Sequence, residues 1–217
     1  MTEFTVDIRY AYCGKRLSIN QYTNLRDAMP TNVKLKIDRY RKWQDRQSVL
    51  FGRILLRNCL TEYGYPLEYL EMVRTDGWGR LYLDGRVDFN ISHSGGCVVC
   101  AASRNAKVGI DIEEIREIEL DDFMENFSSE EWRFIVESEE STRNFFDFWT
   151  IKESVLKADG RGVSRSMRGV EIDGNKATLD GKEWALVKIG IDNRYSCHLT
   201  TDIMASNIVI TEIKIPN

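Results

Sequence analysis

The run Phe89-Asn90-Ile91-Ser92-His93-Ser94-Gly95-Gly96-Cys97-Val98-Val99-Cys100-Ala101-Ala102, with Val108-Gly109-Ile110-Asp111-Ile112-Glu113 after a polar break, decides how this chain is built. Phe89 to Ile91, Val98 to Ala102 and Val108 to Ile112 are compact apolar runs of strand length. Alternation along the last of them places Asp111 and Glu113 on one face and sends Ile110 and Ile112 into a core. The break at residues 103 to 107 is where two halves of the chain meet.

Working upstream, Phe4-Thr5-Val6-Asp7-Ile8-Arg9-Tyr10 alternates apolar with polar and reads as a strand. Residues 45 to 63 set Val49, Ile54, Leu55, Cys59 and Leu60 on one helical face, and Gly64 stops the helix. A loop carrying Asp76-Gly77-Trp78-Gly79 and Asp84-Gly85 flanks a short strand at Leu81 to Leu83. Downstream, Ser128-Ser129-Glu130-Glu131 is a helix start with acids in its first turn. A second long helix runs from about Thr142 to Asp159 and ends at Gly160, and Gly169 to Pro216 is mostly short strands between tight turns. The expected class is α+β: two pseudo-symmetric halves, residues 1–104 and 105–217, each a small antiparallel sheet packed on a long helix.

Composition limits the rest. The 217 residues are 42% hydrophobic and 29% charged, as in ordinary globular proteins, and no stretch approaches the roughly 20 apolar residues that span a bilayer. Met1 to Tyr10 resembles no signal peptide, so a cytoplasmic protein with no membrane partner is expected. Five scattered cysteines, Cys13, Cys59, Cys97, Cys100 and Cys197, make no disulfide framework and read as free thiols. Cys97 and Cys100 have metal-site spacing but lack a second ligand pair, and they read as core residues on opposite faces of a strand.

Charge is blocky. Lys34, Lys36, Arg39, Arg41, Lys42 and Arg46 stand against Asp38 and Asp45; Asp111 to Glu140 carries thirteen acids against Arg116 and Arg133; and Lys152, Lys157, Arg161, Arg165 and Arg168 follow. Such blocks are either solvated helix faces or separate basic segments that grip an anionic ligand. An acidic pI of about 5.4 and the lack of base-stacking or groove-binding motifs argue against nucleic acid.

Three clusters carry chemistry. Asp111 and Glu113 together call for a divalent cation, Mg²⁺ by the hardness of the oxygen donors, although an exposed strand end would show the same pair. Trp149, Glu153 and Lys157 stack in one helical row; the Glu-Lys spacing is also an ordinary stabilising pair, but the aromatic in line implies that the row packs inward. Ser92, His93 and the Gly pair can cradle a phosphate or simply end a strand. His198 lies in a polar strand and reads as structural.

Taken together, Phe-Asn-Ile-Ser-His-Ser-Gly at 89–95, Gly-Ile-Asp-Ile-Glu at 109–113 and Trp149-x-x-Lys152-Glu153-Ser154-x-x-Lys157-Ala158 resemble the phosphopantetheinyl transferases of the longer, surfactin-synthetase type. The resemblance spans residues 79 to 162. Gly79-Arg80 is similar to that family's basic dipeptide before a proline, but Leu81 replaces the proline here, and the proline-rich approach to Phe89 is missing. The resemblance implies Mg²⁺ on Asp111, Glu113 and Glu153, with coenzyme A as co-substrate. It implies that Ser92 and His93 contact the phosphates, that Lys157 holds the leaving side, that Arg80 sits near the nucleotide, and that Lys36 meets the 3′-phosphate, with Lys34 and Arg39 as alternates. It further implies transfer of 4′-phosphopantetheine to a serine of an apo acyl, polyketide or peptidyl carrier protein, with Glu153 and Lys157 catalytic, and a monomer whose halves imitate a dimer. A different Mg²⁺-dependent phosphotransferase or pyrophosphate hydrolase and an inactive carrier-binding protein are the rival readings.

Overall fold

The computed structural model describes residues 4–83, 85, 87–161 and 166–215. Asp84 of the expected turn, Arg165 of the basic block and the terminal Pro216 lie outside the described residues. The chain opens with β1 (Thr5–Tyr12), α1 (Ile19–Asp27), α2 (Thr31–Asp38) and α3 (Trp43–Glu62). A hairpin of β2 (Arg74–Thr75) and β3 (Leu81–Tyr82) leads to β4 (Asp88–Ser94), β5 (Cys97–Ser103) and β6 (Val108–Glu114). Next come α4 (Ser129–Glu137), α5 (Ser141–Asp159), β7 (Glu171–Asp173), β8 (Lys176–Leu179), β9 (Lys182–Lys188), β10 (Tyr195–Thr201) and β11 (Asn207–Glu212).

Two principal sheets form, in the orders β11-β1-β5-β4 and β6-β10-β9-β8-β7. Their pairs are antiparallel apart from β1 with β11, which run parallel. The last strand therefore returns to the first sheet, a crossing that the reading of residues 169 to 216 as local short strands did not anticipate.

The apolar alternation stacks the layers. Val98, Cys100, Ala102 and Phe89 pack under α2 and α3 with Val33, Ile37, Leu50, Phe51, Leu55 and Leu56. From the opposite face of the first sheet, Val6, Ile8, Cys97, Val99 and Ala101 meet Val108, Ile110, Ile112, Cys197 and Leu199 of the second. Beyond that sheet, α5 buries Val155, Leu156 and Ala158 against Trp184 and Leu186. The order is thus α3, first sheet, second sheet, α5, with each sheet carrying one long helix. Cys97 and Cys100 enter different cores, as strand alternation requires, and all five cysteines are buried free thiols.

Two glycine positions set the geometry. Gly95 and Gly96 both have positive φ, 53° and 83°, and close the two-residue turn between β4 and β5. Gly109 lies where α5 crosses β6, and a Cβ there would overlap the Ser154 carbonyl oxygen and stand 2.8 Å from the Ala158 Cβ. Only a residue without a side chain lets the helix come that close.

Gly109→Ala is expected to destabilise the protein by about 3 kcal/mol, the upper end of overpacking costs, because the obstacles are backbone atoms of a helix. Urea unfolding would measure it, and a midpoint unchanged from the parent would contradict the close packing.

Candidate active site

The inner face of β4 explains the motif around His93. Its even residues, Asp88, Asn90, Ser92 and Ser94, face the second sheet and all are polar, whereas the β5 partners of the last three, Ala101, Val99 and Cys97, are apolar. They meet the open edge of β6. Val108 donates its N–H to Asp88 Oδ2 at 2.8 Å, Ile110 to Asn90 Oδ1 at 3.0 Å and Glu114 to Ser94 Oγ at 3.1 Å. Side chains thus satisfy backbone groups that a neighbouring strand would otherwise take.

Catalytic-type groups sit on the same seam. The Ser92 hydroxyl donates to Asp111 Oδ1 at 2.8 Å and accepts from Lys157 Nζ at 3.0 Å, and Lys157 Nζ also lies 2.5 Å from Asp111 Oδ1. Ser94 Oγ donates to Glu113 Oε2 at 2.6 Å. A cleft of about 370 Å³ is lined by Ser92 and His93 of β4, Asp111 and Glu113 of β6, and Trp149, Glu153 and Lys157 of α5, with Ile91 at its edge. Six predicted site residues are therefore brought together by three elements. The helical row is half-buried, as its aromatic implied, with Trp149 stacked on Phe145 at 5.6 Å. Lys157 takes Asp111 of β6 as its ion-pair partner.

Two predicted contacts stand elsewhere. Lys36, on α2, is not among the cleft's lining residues; its ammonium is lowered by burial and by Arg53 and Arg39. Arg80 is not among the cleft's lining residues: it borders the adjoining cavity and turns its guanidinium into protein acceptors, chiefly Asp88 at 2.8 Å and the Val108 carbonyl at 2.9 Å. The basic block from 152 to 168 needs a correction as well. Lys152 is fully buried, with Nζ bound by Glu131 at 2.9 Å and the Val170 carbonyl at 2.7 Å, and Arg161 is paired with Asp159 and Asp180. Among the described residues of the block, Lys157 alone lines the cleft. His198 is buried and bonded to Thr150, in keeping with its structural reading.

Comparison with known proteins gives the lineage. Residues 107–199 match the 4′-phosphopantetheinyl transferase superfamily, and residues 16–105 match the family described as 4′-phosphopantetheinyl transferase, N-terminal. A putative 4′-phosphopantetheinyl transferase of Haemophilus influenzae is 33% identical over 166 residues, 73% of this chain and 70% of that protein. The chain belongs to the 4′-phosphopantetheinyl transferase superfamily. The 4′-phosphopantetheinyl transferase gsp of Aneurinibacillus migulanus is 36% identical over 64% of this chain, which spans 59% of that relative's length. The 4′-phosphopantetheinyl transferase Sfp of Bacillus subtilis is 29% identical over 70% of each chain, which places this superfamily member with the surfactin-synthetase type.

The residues of this superfamily member suit a hard cation in one respect and need help in another. Asp111 Oδ2 is buried and has no hydrogen-bond partner, an orphaned acceptor that a cation would satisfy. Among the described residues, however, no three carboxylate, histidine or cysteine groups converge as a ligand set. Mg²⁺ usually keeps water and phosphate oxygens in its shell, so Asp111, Glu113 and Glu153 would make a site only together with such ligands. Burial raises the Glu113 carboxyl, with Ser94 opposing and Asp111 adding. Burial raises Glu153 too, against the lowering effect of Lys157. Burial alone would lower the Lys157 ammonium, but Asp111, with Glu153 and Glu113 behind it, holds it above its ordinary range.

A carboxyl raised in the folded state keeps a proton that the unfolded chain releases, so Glu153 weakens the metal-free fold as pH rises above its ordinary value of 4.5. In chelator at pH 7.5, Glu153→Gln is expected to melt above the parent, and the difference should close as pH drops below that value. Equal melting at pH 7.5 would contradict the burial cost.

Proposed function

We propose that this protein transfers the 4′-phosphopantetheine group of coenzyme A to a serine of an apo carrier protein, releasing 3′,5′-ADP, and that it does so in the cytoplasm as a monomer. The observation that carries the reading is the Ser92–Asp111–Lys157 cluster, set in one cleft with Glu113 and Glu153 at the junction of the two sheets. Superfamily membership supports it. In this reading residues 1–104 supply contacts to the phosphates of coenzyme A, and residues 105–217 supply the metal ligands and the catalytic helix.

The reaction joins the serine oxygen to the β-phosphorus of coenzyme A and breaks the bridging P–O bond on the adenosine side. The protein needs no nucleophile of its own; its contribution is positioning and charge neutralisation. Mg²⁺, held by Asp111, Glu113 and Glu153, supplies charge neutralisation on the pyrophosphate when bound. Lys157 places its ammonium beside the oxygens of the departing phosphate. Glu153, half-buried and with its carboxyl raised, accepts the serine proton directly or through water. Ser92 and His93 bind phosphate oxygens at the cleft's β4 wall. A neighbouring cavity of about 500 Å³ shares Ile91, Glu153 and Lys157 with the cleft and is lined further by Trp78, Leu81, Phe89, Leu156 and Met167. Arg80, Asn90, Asn126 and Ser166 complete a mixed wall whose apolar part suits the pantetheine arm.

With Mg²⁺ and coenzyme A, intact-mass spectrometry is expected to show one phosphopantetheine added to the serine of an apo carrier. Acyl, polyketide and peptidyl carriers all left unmodified would overturn the assignment. Release of 3′,5′-ADP from coenzyme A without any carrier would identify a hydrolase, and tight binding of a carrier without its modification would identify a carrier-binding protein.

Lys36→Ala is expected to weaken coenzyme A by about 1 to 3 kcal/mol, the cost of a charge-assisted hydrogen bond, while leaving dephospho-coenzyme A unaffected. Calorimetric titration with both ligands decides it: a variant that still prefers the complete cofactor as strongly as the parent does not touch the 3′-phosphate.

A further inference from the structure

Arg80 ends a turn that its own neighbour shapes. Asp76 Oδ1 accepts the N–H of Trp78 at 2.8 Å and of Arg80 at 2.9 Å, and the Asp76 N–H returns to the Arg80 carbonyl at 2.9 Å. The turn aims the Arg80 side chain inward, where only 11% of it remains exposed. Its Nη2 donates to Asp88 Oδ2 on β4 at 2.8 Å, to the Val108 carbonyl on β6 at 2.9 Å and more weakly to the Phe89 carbonyl at 3.4 Å. Its Nη1 donates to the carbonyl of Lys157 in the last turn of α5. Asp88 Oδ2 also takes the Val108 N–H, so Arg80 and Asp88 together hold both backbone groups of the first residue of β6. A planar fork with several donors can join these acceptors at once; an ammonium cannot match that geometry.

We propose that Arg80 is a positioning residue that fastens the last turn of α5 to the β4–β6 seam and so sets where Lys157 meets Asp111 and Ser92. It acts through Lys157, although its side chain also borders the neighbouring cavity. The inference rests on the proposed transferase activity for its consequence in turnover, though not for the contact itself. Arg80→Gln and Arg80→Lys should both detach the helix end, whereas a simple charge contact to phosphate would survive the lysine.

Two measurements test it. In unliganded protein, hydrogen exchange of amides 108–111 and 156–160 should quicken at least tenfold in both variants, with α3 unchanged; unaltered exchange there overturns the proposal whatever the protein catalyses. In the transfer assay, kcat should fall about tenfold in both variants while KM for coenzyme A stays within about twofold. In a Lys157→Ala background, Arg80→Gln should cost no more than about twofold further. A raised KM at normal kcat, or rescue by lysine, would show that Arg80 is a ligand contact and overturn the proposal. A parent protein that modifies no carrier would refute the activity instead, and the exchange measurement would still decide the role of Arg80.

Discussion

The site depends on the seam between β4 and β6, two strands at the edges of different sheets that face one another without forming a ladder. An open edge leaves backbone N–H and C=O groups unpaired, and burying them unsatisfied costs as much as losing hydrogen bonds. Here Asp88, Asn90 and Ser94 take the N–H groups of Val108, Ile110 and Glu114, with the same spacing on both strands. Because these joints are made by side chains, the strands stand far enough apart to leave a cleft, and carboxylates of β6 can face hydroxyls of β4 across it.

Electrostatics gives the cleft its character. Asp111 is buried, and its charge is tolerated through Lys157 and Ser92 on one oxygen, while the other oxygen has no partner. Burying two charges seldom stabilises a fold, and a partly satisfied network is a weaker solution than an apolar core. Glu113 and Glu153 add further burial cost, with both carboxyls raised. Perturbed carboxyls gathered beside an ammonium in a cleft are the pattern found at functional sites.

The surrounding packing makes the arrangement rigid. Gly109 lets α5 rest on β6, so Glu153 and Lys157 reach the strand that carries Asp111 and Glu113. On its other flank, Lys152 draws the Met167 and Val170 carbonyls and Glu131 of α4 onto the same helix. Adjacent positions on α5 thus serve opposite purposes: Lys152 is an internal fastener, and Glu153 is a group left facing the cleft.

Much of this was legible in the sequence, because it rests on local periodicity. The period of two along residues 108 to 113 sets Asp111 and Glu113 on one face, the period of four along α5 aligns Trp149, Glu153 and Lys157, and Gly64 and Gly160 mark helix ends. The residue types alone left oxygen-ligated metal and phosphate chemistry beside an exposed strand end, a plain helix pair and a strand-ending turn, and only their joint order resembled one family. Tertiary structure decided what each polar side chain is used for, since a lysine or arginine looks the same in sequence whether it meets solvent, ligand or backbone. Only the fold turns Lys152 inward, spends Arg80 on Asp88 and three carbonyls, pairs Lys157 with Asp111 instead of the glutamate four residues before it, and returns β11 to lie beside β1. Those outcomes depend on partners tens to hundreds of residues away, and no local pattern encodes which distant acceptor will be within reach.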